Sequence, residues 1–311
     1  MKKIPIIAVV GPTASGKTGL GIQIAKRFDG EVVSADSMQI YCGMDIATAK
    51  PNVLEQDGVI HHMIDFLDPS DSFSVADYTL LAHQAIADIH ARGKLPVLVG
   101  GTGLYVDSVL NDIVFTEIKT DPQLRESLYQ FGKKQGNGAL LERLRRVDPE
   151  SAARLHENNV GRIVRAIEVY ELTGITMTEQ QKKSREKPSR YRALKFGLNY
   201  RDRSVLYDRI DRRVDLMMEQ GLLEEAKNVL VSPMKTAVQA IGYKELQPYL
   251  EGKTSLSVCV EQLKQSTRRY AKRQLTWFLR DPQITWLYPD EEEMPDLIKK
   301  VFVSVEMFLK V

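Results

Sequence analysis

The sequence predicts an α/β fold: a parallel sheet core with helices on both faces, plus an inserted helical domain. Three observations carry this. Apolar, β-branched runs alternate with amphipathic helical patterns through the first hundred residues, which is the signature of a doubly wound sheet. A glycine-rich segment, residues 11–18, joins the first such run to the first helical pattern, so the core is of the P-loop type. From about Glu117 to Pro188 apolar strand runs disappear and only helical patterns remain.

The elements follow in order. Ile4–Val10 is continuously apolar and ends at Gly11, as a strand buried on both faces does. Residues 1–3 and the apolar run faintly resemble a secretory leader. The run is short and enters Gly11-Pro12-Thr13 rather than a small-residue cleavage site, so a strand is expected. Residues 18–28 repeat Leu20, Ile24 and Phe28 on one helical face. Residues 31–35 form a second strand ending at Asp36, and residues 63–67 another. Val75–Ala91 is a long amphipathic helix stopped by Gly93, and residues 95–99 are the next strand, ended by Gly100-Gly101. Helices are expected over 122–134, 138–147, 149–155 and Val160–Thr173. A strand returns at 193–198, followed by helices over 205–220, Leu222–Leu230 and 257–280. The expected organisation is a core of residues 1–116 with 189–311, interrupted by an insert of residues 117–188.

Composition narrows the class of protein. The 311 residues are 43% hydrophobic and 27% charged, ordinary for a globular chain. Lysine plus arginine, 43, nearly balances aspartate plus glutamate, 41, so only local clustering can mark a polyanionic partner. Two distant cysteines, Cys42 and Cys259, make no disulfide framework, which suits a reducing, cytoplasmic setting. No stretch reaches the length of a membrane span.

The chemistry begins at Gly11, Pro12, Thr13, Ala14, Ser15, Gly16, Lys17 and Thr18, which fit G-x-x-x-x-G-K-[ST]. The glycines let backbone N–H groups turn inward toward an anion. The following helix adds its positive end. Lys17 supplies charge, and Thr18 a hydroxyl for a magnesium ion that bridges phosphate oxygens. Four fixed positions would match by chance in about one chain of this length in a hundred, and the strand-before, helix-after context lowers that further. The loop specifies phosphate but not a reaction. No Asn-Lys dipeptide for guanine occurs, and the strand ending in Gly100-Gly101 lacks a terminal acid, leaving a kinase or another group transferase.

Asp36 falls at the carboxyl edge of the second strand, the ligand side of an open α/β sheet. There it can serve as a general base or hold magnesium; an Asp capping an ordinary turn is the plain alternative. Ser37, Gln39 and Tyr41 beside it can hydrogen-bond and stack a base. His61-His62 find no third residue at metal-ligand spacing. Basic residues cluster at Arg143, Arg145 and Arg146, along residues 182–195, and at Arg268, Arg269, Lys272 and Arg273 with Tyr270, Trp277 and Phe278 interleaved. Each is either a solvated face or linker, or a salt-sensitive phosphate contact. The aromatics are more readily core than stacking platforms.

Six segments together carry a resemblance. Residues 11–18 (GPTASGKT), 34–51 (SADSMQIYCGMDIATAKP), 61–65 (HHMID), 100–105 (GGTGLY), 162–169 (RIVRAIEV) and 240–245 (AIGYKE) are similar, in order, to the bacterial tRNA dimethylallyltransferases. The resemblance implies transfer of a dimethylallyl group from its diphosphate to the exocyclic N6 amine of adenosine 37, beside the anticodon, with Mg2+ assisting. It implies Asp36 as general base and Thr102 on the oxygen bridging prenyl carbon and diphosphate. Lys17, the loop amides, magnesium at Thr18 and an arginine, Arg213 with its neighbour Arg212 as the alternative, would stabilise the departing diphosphate. Asp36, Ser37, Met38 and Gln39 would line the adenine pocket. Thr102, Gly161, Arg162, Ile163, Val164, Arg165, Gly242 and Tyr243 would contact the tRNA anticodon stem-loop. Gly161 stands where the family often carries a polar or basic side chain. The resemblance further implies a monomer and no membrane. A P-loop kinase of nucleotides or small metabolites fits the loop, Asp36 and a lid-like insert equally well from spacing alone. A nucleotide-regulated RNA-binding protein without turnover is a third reading. Neither accounts for the later segments.

Overall fold

The structure is a computed structural model and describes residues 3–115, 120–184, 186–231 and 236–310, without the side chain of Val238. The expected junction near Glu117, and Arg185 of the basic tract, lie outside the described residues. The chain divides into two compact units, residues 1–110 with 189–311, and residues 111–188.

The larger unit is built on a six-stranded sheet. In chain order its elements are β1 (Ile4–Val10), α1 (Lys17–Arg27), β2 (Gly30–Ser34), β3 (His61–His62), α2 (Val75–Ala91), β4 (Leu95–Gly100) and α3 (Gly103–Leu110). After the insert come β5 (Tyr191–Leu198), α9 (Arg203–Glu219), α10 (Leu222–Leu230), α11 (Tyr243–Leu250), α12 (Leu256–Phe278), β6 (Ile284–Leu287) and α13 (Met294–Leu309). The strand order is β3-β2-β4-β1-β5-β6, every pair parallel. The unbroken apolar run of β1 has its reason here. Ile6, Ala8 and Val10 face a core with Tyr78, Ile86, Val109 and Phe278, while Ile7 and Val9 face the opposite core with Leu20, Ile24, Val301 and Val305. A strand covered by helices on both faces has no polar side to offer.

Three expectations shift. The strand expected over 63–67 is instead the two-residue β3, because Met63 and Asp65 take positive φ of 60° and 56°, which no extended strand accommodates. The basic tract over 182–195 is not one linker. Lys182 and Lys183 close a helix, and Arg192 and Lys195 sit in β5, bonded to the Phe308 carbonyl at 2.7 Å and to Asp281 at 2.7 Å. The helix α3, the strand β6 and the helix α13 were not expected. α3 is eight residues with almost no polar face, so it offers no period, and β6 has only four residues. α13 did carry a signal, Leu297, Val301 and Val305 at helical spacing, all buried.

The smaller unit is helical throughout: α4 (Pro122–Gln135), α5 (Asn137–Val147), α6 (Pro149–Ala153), α7 (Val160–Thr173) and α8 (Met177–Lys183). Its core joins Leu128, Leu140, Leu144, Ile163, Val164 and Ile167. Buried Asp148 caps α6 through the Ser151 N–H and ties in α8 by accepting from the Thr178 N–H and hydroxyl. In the larger unit the two points where the insert departs and returns are adjacent, since the Ser189 hydroxyl donates to the Leu110 carbonyl at 2.7 Å. Among the described residues no helix is long and apolar enough to cross a membrane.

Candidate active site

The loop between β1 and α1 is held from behind. Gly11 has φ 151°, and a Cβ there would come within 2.6 Å of the Leu198 carbonyl oxygen. Ala14 takes a left-handed φ of 62°, a conformation costly for an L side chain. Arg209 of α9 secures it by donating Nε–H to the Ala14 carbonyl at 2.9 Å. Gly16, at φ 93°, opens α1 without a side-chain cap, which leaves its first N–H groups facing outward for an anion. The Ser15 hydroxyl is buried with no protein partner, a donor waiting for a ligand.

β2, β4 and β1 end together above this loop. The Ala35 N–H donates to the Val99 carbonyl at 2.7 Å, and the Thr102 N–H to the Ala35 carbonyl at 3.1 Å. A Cβ on Gly100 would strike the Ala35 carbonyl oxygen at 2.2 Å, so only glycine permits this approach. The result sets Asp36 at a fixed turn. Its Oδ1 accepts from the Met38 N–H at 2.9 Å and the Gln39 N–H at 3.4 Å, leaving Oδ2 for other work.

One cavity of about 300 Å³ gathers Thr13, Lys17, Thr18, Asp36, Ser37, Met38, Gln39, Arg213 and Gly242. Lys17 is pushed down to about 8, chiefly by burial, with Asp36 raising it and Arg213 lowering it further. Burial likewise pushes Arg213 down, countered by Glu55 and Asp36. Two cations and one carboxylate thus share a largely desolvated floor, where charge interactions are strong. Arg213, not Arg212, lines this cavity, whereas both line a second pocket beside Gly16, Lys17 and Thr18. Arg212 stays exposed and reaches back to the Asp208 carbonyl at 3.4 Å.

Other expected site residues fall differently. Thr102 does not line the cavity. Its hydroxyl accepts from the Ser37 N–H at 3.1 Å and donates to the Ser37 hydroxyl at 3.4 Å. Gln39 lines the cavity, but its amide donates to the Thr48 and Ala49 carbonyls, both at 3.1 Å, and accepts from Ser34, so it shapes the loop and has little left for reading a base. Tyr243 is buried at 1% exposure, its hydroxyl donating to Glu225 at 2.9 Å, so its ring offers nucleic acid nothing. Ile163 and Val164 are core residues at 0% and 1% exposure, and their side chains cannot touch tRNA. Gly161 and Arg162 are exposed, whereas Arg165 is paired with buried Glu168 at 2.7 Å. Arg143 and Arg145 pair with Glu171 and Glu142.

Sequence reasoning missed several cavity residues, Ala47, Thr48, Ala49, His61, Thr267, Tyr270 and Gln274, whereas Arg273, one of the basic residues it singled out, does line the cavity. His62 is structural, bonded to Glu31 at 2.7 Å. His61 differs: its Nε2 is buried without a partner and the residue lines the cavity. On α12, Phe278 is core as expected and Trp277 packs beside it, but Tyr270 faces the cavity. Arg268 of the same helix is consumed by Asp211 and Glu261. Among the described residues no group of three or more His, Cys, Asp or Glu could hold a metal. A magnesium bound chiefly by phosphate oxygens needs no such cage, and the Thr18 hydroxyl and Asp36 carboxylate open onto the same space.

A phosphate-binding loop, a carboxylate and a long cleft suit several transferases, and comparison with known proteins decides among them. The family model described as IPP transferase matches residues 39–281, and that described as isopentenyl transferase matches residues 4–65. The chain belongs to the tRNA dimethylallyltransferase family. It is 50% identical to the tRNA dimethylallyltransferase of Halalkalibacterium halodurans over 91% of each chain. To that of Bacillus subtilis it is 51% identical, over 91% of this chain and 90% of the relative. A solved tRNA isopentenylpyrophosphate transferase from Bacillus halodurans superposes with a TM-score of 0.74 at 45% identity, covering 99% of this chain and 97% of that one. A eukaryotic dimethylallyltransferase solved acting on tRNA superposes with a TM-score of 0.81 at 31% identity, covering 97% and 80%. As a member of the tRNA dimethylallyltransferase family this chain is a prenyl-transferring enzyme of tRNA modification, which replaces the kinase and binding-protein readings.

Proposed function

We propose that this chain moves a dimethylallyl group from dimethylallyl diphosphate to the N6 amine of adenosine 37 of tRNA, and that residues 11–18 hold the diphosphate as leaving group. The observation that carries this is the sharing of one cavity by Lys17, Arg213 and Asp36. Cations at the loop and a free carboxylate oxygen opposite suit a transfer in which negative charge departs one way and a proton the other.

In the reaction the bond between prenyl C1 and the bridging oxygen breaks, and its electron pair leaves with the diphosphate. The amine forms a bond to C1 and loses a proton, which Asp36 accepts through the oxygen its turn leaves free. A base within hydrogen-bond reach helps a weak aromatic amine. The loop N–H groups, the Ser15 hydroxyl, Lys17 and Arg213 are prearranged donors for the charge accumulating on the leaving group. Mg2+, when bound, would neutralise part of that charge; Thr18 would hold it, and Asp36 is the carboxylate that lines the same cavity. Presenting the amine requires the adenine to leave its stack, and Ser37 and Met38 line the space beside Asp36 that would receive it. Thr102 supports that wall from behind. Backbone at Gly161 and Gly242 and the exposed Arg162 are the tRNA contacts that survive from the 161–165 and 242–243 segments.

The deciding measurement incubates the protein with Mg2+, labelled dimethylallyl diphosphate and unmodified tRNA, and follows label into RNA. Label at adenosine 37 is the expected result. Label absent from RNA, with phosphate instead moved from ATP to a metabolite, would overturn the reading. An ATP competition arm tests whether the loop also admits a nucleotide.

A further inference from the structure

The side chain of Gln274, on α12, is 5% exposed and bonds to two separate parts of the site. Its Oε1 accepts the Thr13 N–H of the phosphate loop at 2.8 Å. Its Nε2 donates to the Gly101 carbonyl, just after β4, at 3.0 Å. The partners fix the amide's orientation, since an N–H can only donate and a carbonyl only accept. The contact is close enough that a Cβ on Gly101 would lie 2.1 Å from Nε2. One turn earlier on α12, Tyr270 lines the same cavity as Gln274. The next turn is docked as well: Trp277 donates to Asp107 at 2.9 Å, and a Cβ on Gly103 would meet its ring at 2.3 Å.

These contacts make a short chain across the reaction. Thr13 belongs to the diphosphate cradle. Gly101 precedes Thr102, whose hydroxyl receives the Ser37 N–H beside Asp36. We propose that Gln274 is a positioning residue: its amide sets the distance between the leaving-group cradle and the Asp36 turn that receives the amine's proton. This rests on the reading of residues 11–18 as the diphosphate site. A glutamine amide meets both demands at that length from one planar group. Glutamate accepts but, ionised, cannot donate. Methionine and leucine do neither, and asparagine is a methylene short. The two reacting ends sit on loops after β1 and β2, strands that each pair with β4 rather than with each other, and misplacing one by about 1 Å can cost about a hundredfold in rate. A neutral buried amide adds no charge that would compete for the diphosphate.

The test is single-turnover transfer by wild type, Gln274→Ala and Gln274→Glu, each with its tRNA affinity and melting temperature. Gln274→Ala is expected to lose about a hundredfold in kcat while tRNA affinity stays at the wild-type value. Gln274→Glu supplies the discriminating readout. A buried carboxyl titrates above its ordinary range and, when protonated, can again donate to Gly101 while accepting from Thr13. Its rate relative to wild type should therefore climb as pH falls from about 8.5 to about 6. A residue that merely stabilises the fold would give no such pH-dependent rescue. Gln274→Ala within about twofold of wild type, well inside the hundredfold that misplacement costs, or Gln274→Glu tracking the wild-type pH profile, overturns the proposal. Should Gln274→Ala fail to fold, the Gln274→Glu ratio decides alone. A wild type that binds tRNA but transfers nothing would instead bring down the diphosphate reading, and this proposal with it.

Discussion

Lys17 carries a charge that its surroundings make costly to keep. Its pKa falls to about 8 because burial removes water from the ammonium, and Arg213 adds repulsion that Asp36 only partly offsets. Below about 8 the group is charged, as its proposed role at the diphosphate requires; above it the free enzyme loses that charge. Diphosphate affinity should fall as pH rises through 8, which calorimetric titration at stepped pH would reveal; an affinity flat from pH 7 to pH 9, either side of that value, would contradict it. Stability moves with the opposite sign. The ordinary value is 10.5, so between 8 and 10.5 the unfolded chain holds more protons and stability rises with pH. Below 8 the burial cost is fully felt. Lys17→Met should therefore melt higher at neutral pH without ligand, yet bind diphosphate more than about tenfold more weakly. Asp36 is best probed as Asn, which can still accept the Met38 N–H at Oδ1 and so keeps the turn. Loss of the base should cost about a hundredfold or more in transfer with tRNA affinity retained. Full activity in Asp36→Asn would assign the proton to another acceptor.

At the scale of elements, α10 shapes the site through one carboxylate. Glu225 accepts from the Asp45, Ile46 and Ala47 N–H groups at 2.9, 2.7 and 2.9 Å, and from the Tyr243 hydroxyl. The strand of loop it captures continues directly into Thr48 and Ala49, which line the cavity. Gly242 permits the approach, since a Cβ there would lie 3.1 Å from the Ala47 side chain. Glu225→Ala leaves several donors short of a charged acceptor and should cost about 3 kcal/mol of stability. Faster hydrogen exchange at the amides of Asp45, Ile46 and Ala47, with a raised KM for dimethylallyl diphosphate, is the expected signature. Exchange unchanged at those three amides would refute the anchoring role. Tyr243 belongs to this account as well: a tRNA contact by what the resemblance implies, it is the second fastening of the same loop.

For the whole molecule the insert is the natural place to cut. Leu110 and Ser189 meet through a hydrogen bond, so residues 111–188 leave and re-enter the core at one place, and each unit has its own apolar core. Replacing the insert with a short Gly-Ser linker should leave the core folded and binding diphosphate, because linkers of that kind close short gaps at little entropic cost. Transfer to tRNA should be lost. Tight tRNA binding by the remaining core, insensitive to salt, would show that the insert and the basic side chains are not the source of affinity. In the full chain that affinity should decline steeply between low and physiological salt, as counterion release demands.

How much was legible in the sequence varies with the range of the interaction. The phosphate loop, the buried strands and most helices are local facts, written as glycine placement, apolar period and capping residues, and Lys17 and Asp36 followed from strand ends. The family could be named from ordered short segments. What the chain does not spell out is what meets across it. Nothing near position 274 says that its amide would bridge residues 13 and 101, nor anything near 225 that it would hold residues 45–47. Tertiary structure alone sent Arg213 inward while Arg212 stayed in solvent, and turned Tyr243, Ile163 and Val164 from contacts into core. The reason is that a side chain's role depends on which face of its element is covered, and covering is supplied by residues distant in sequence.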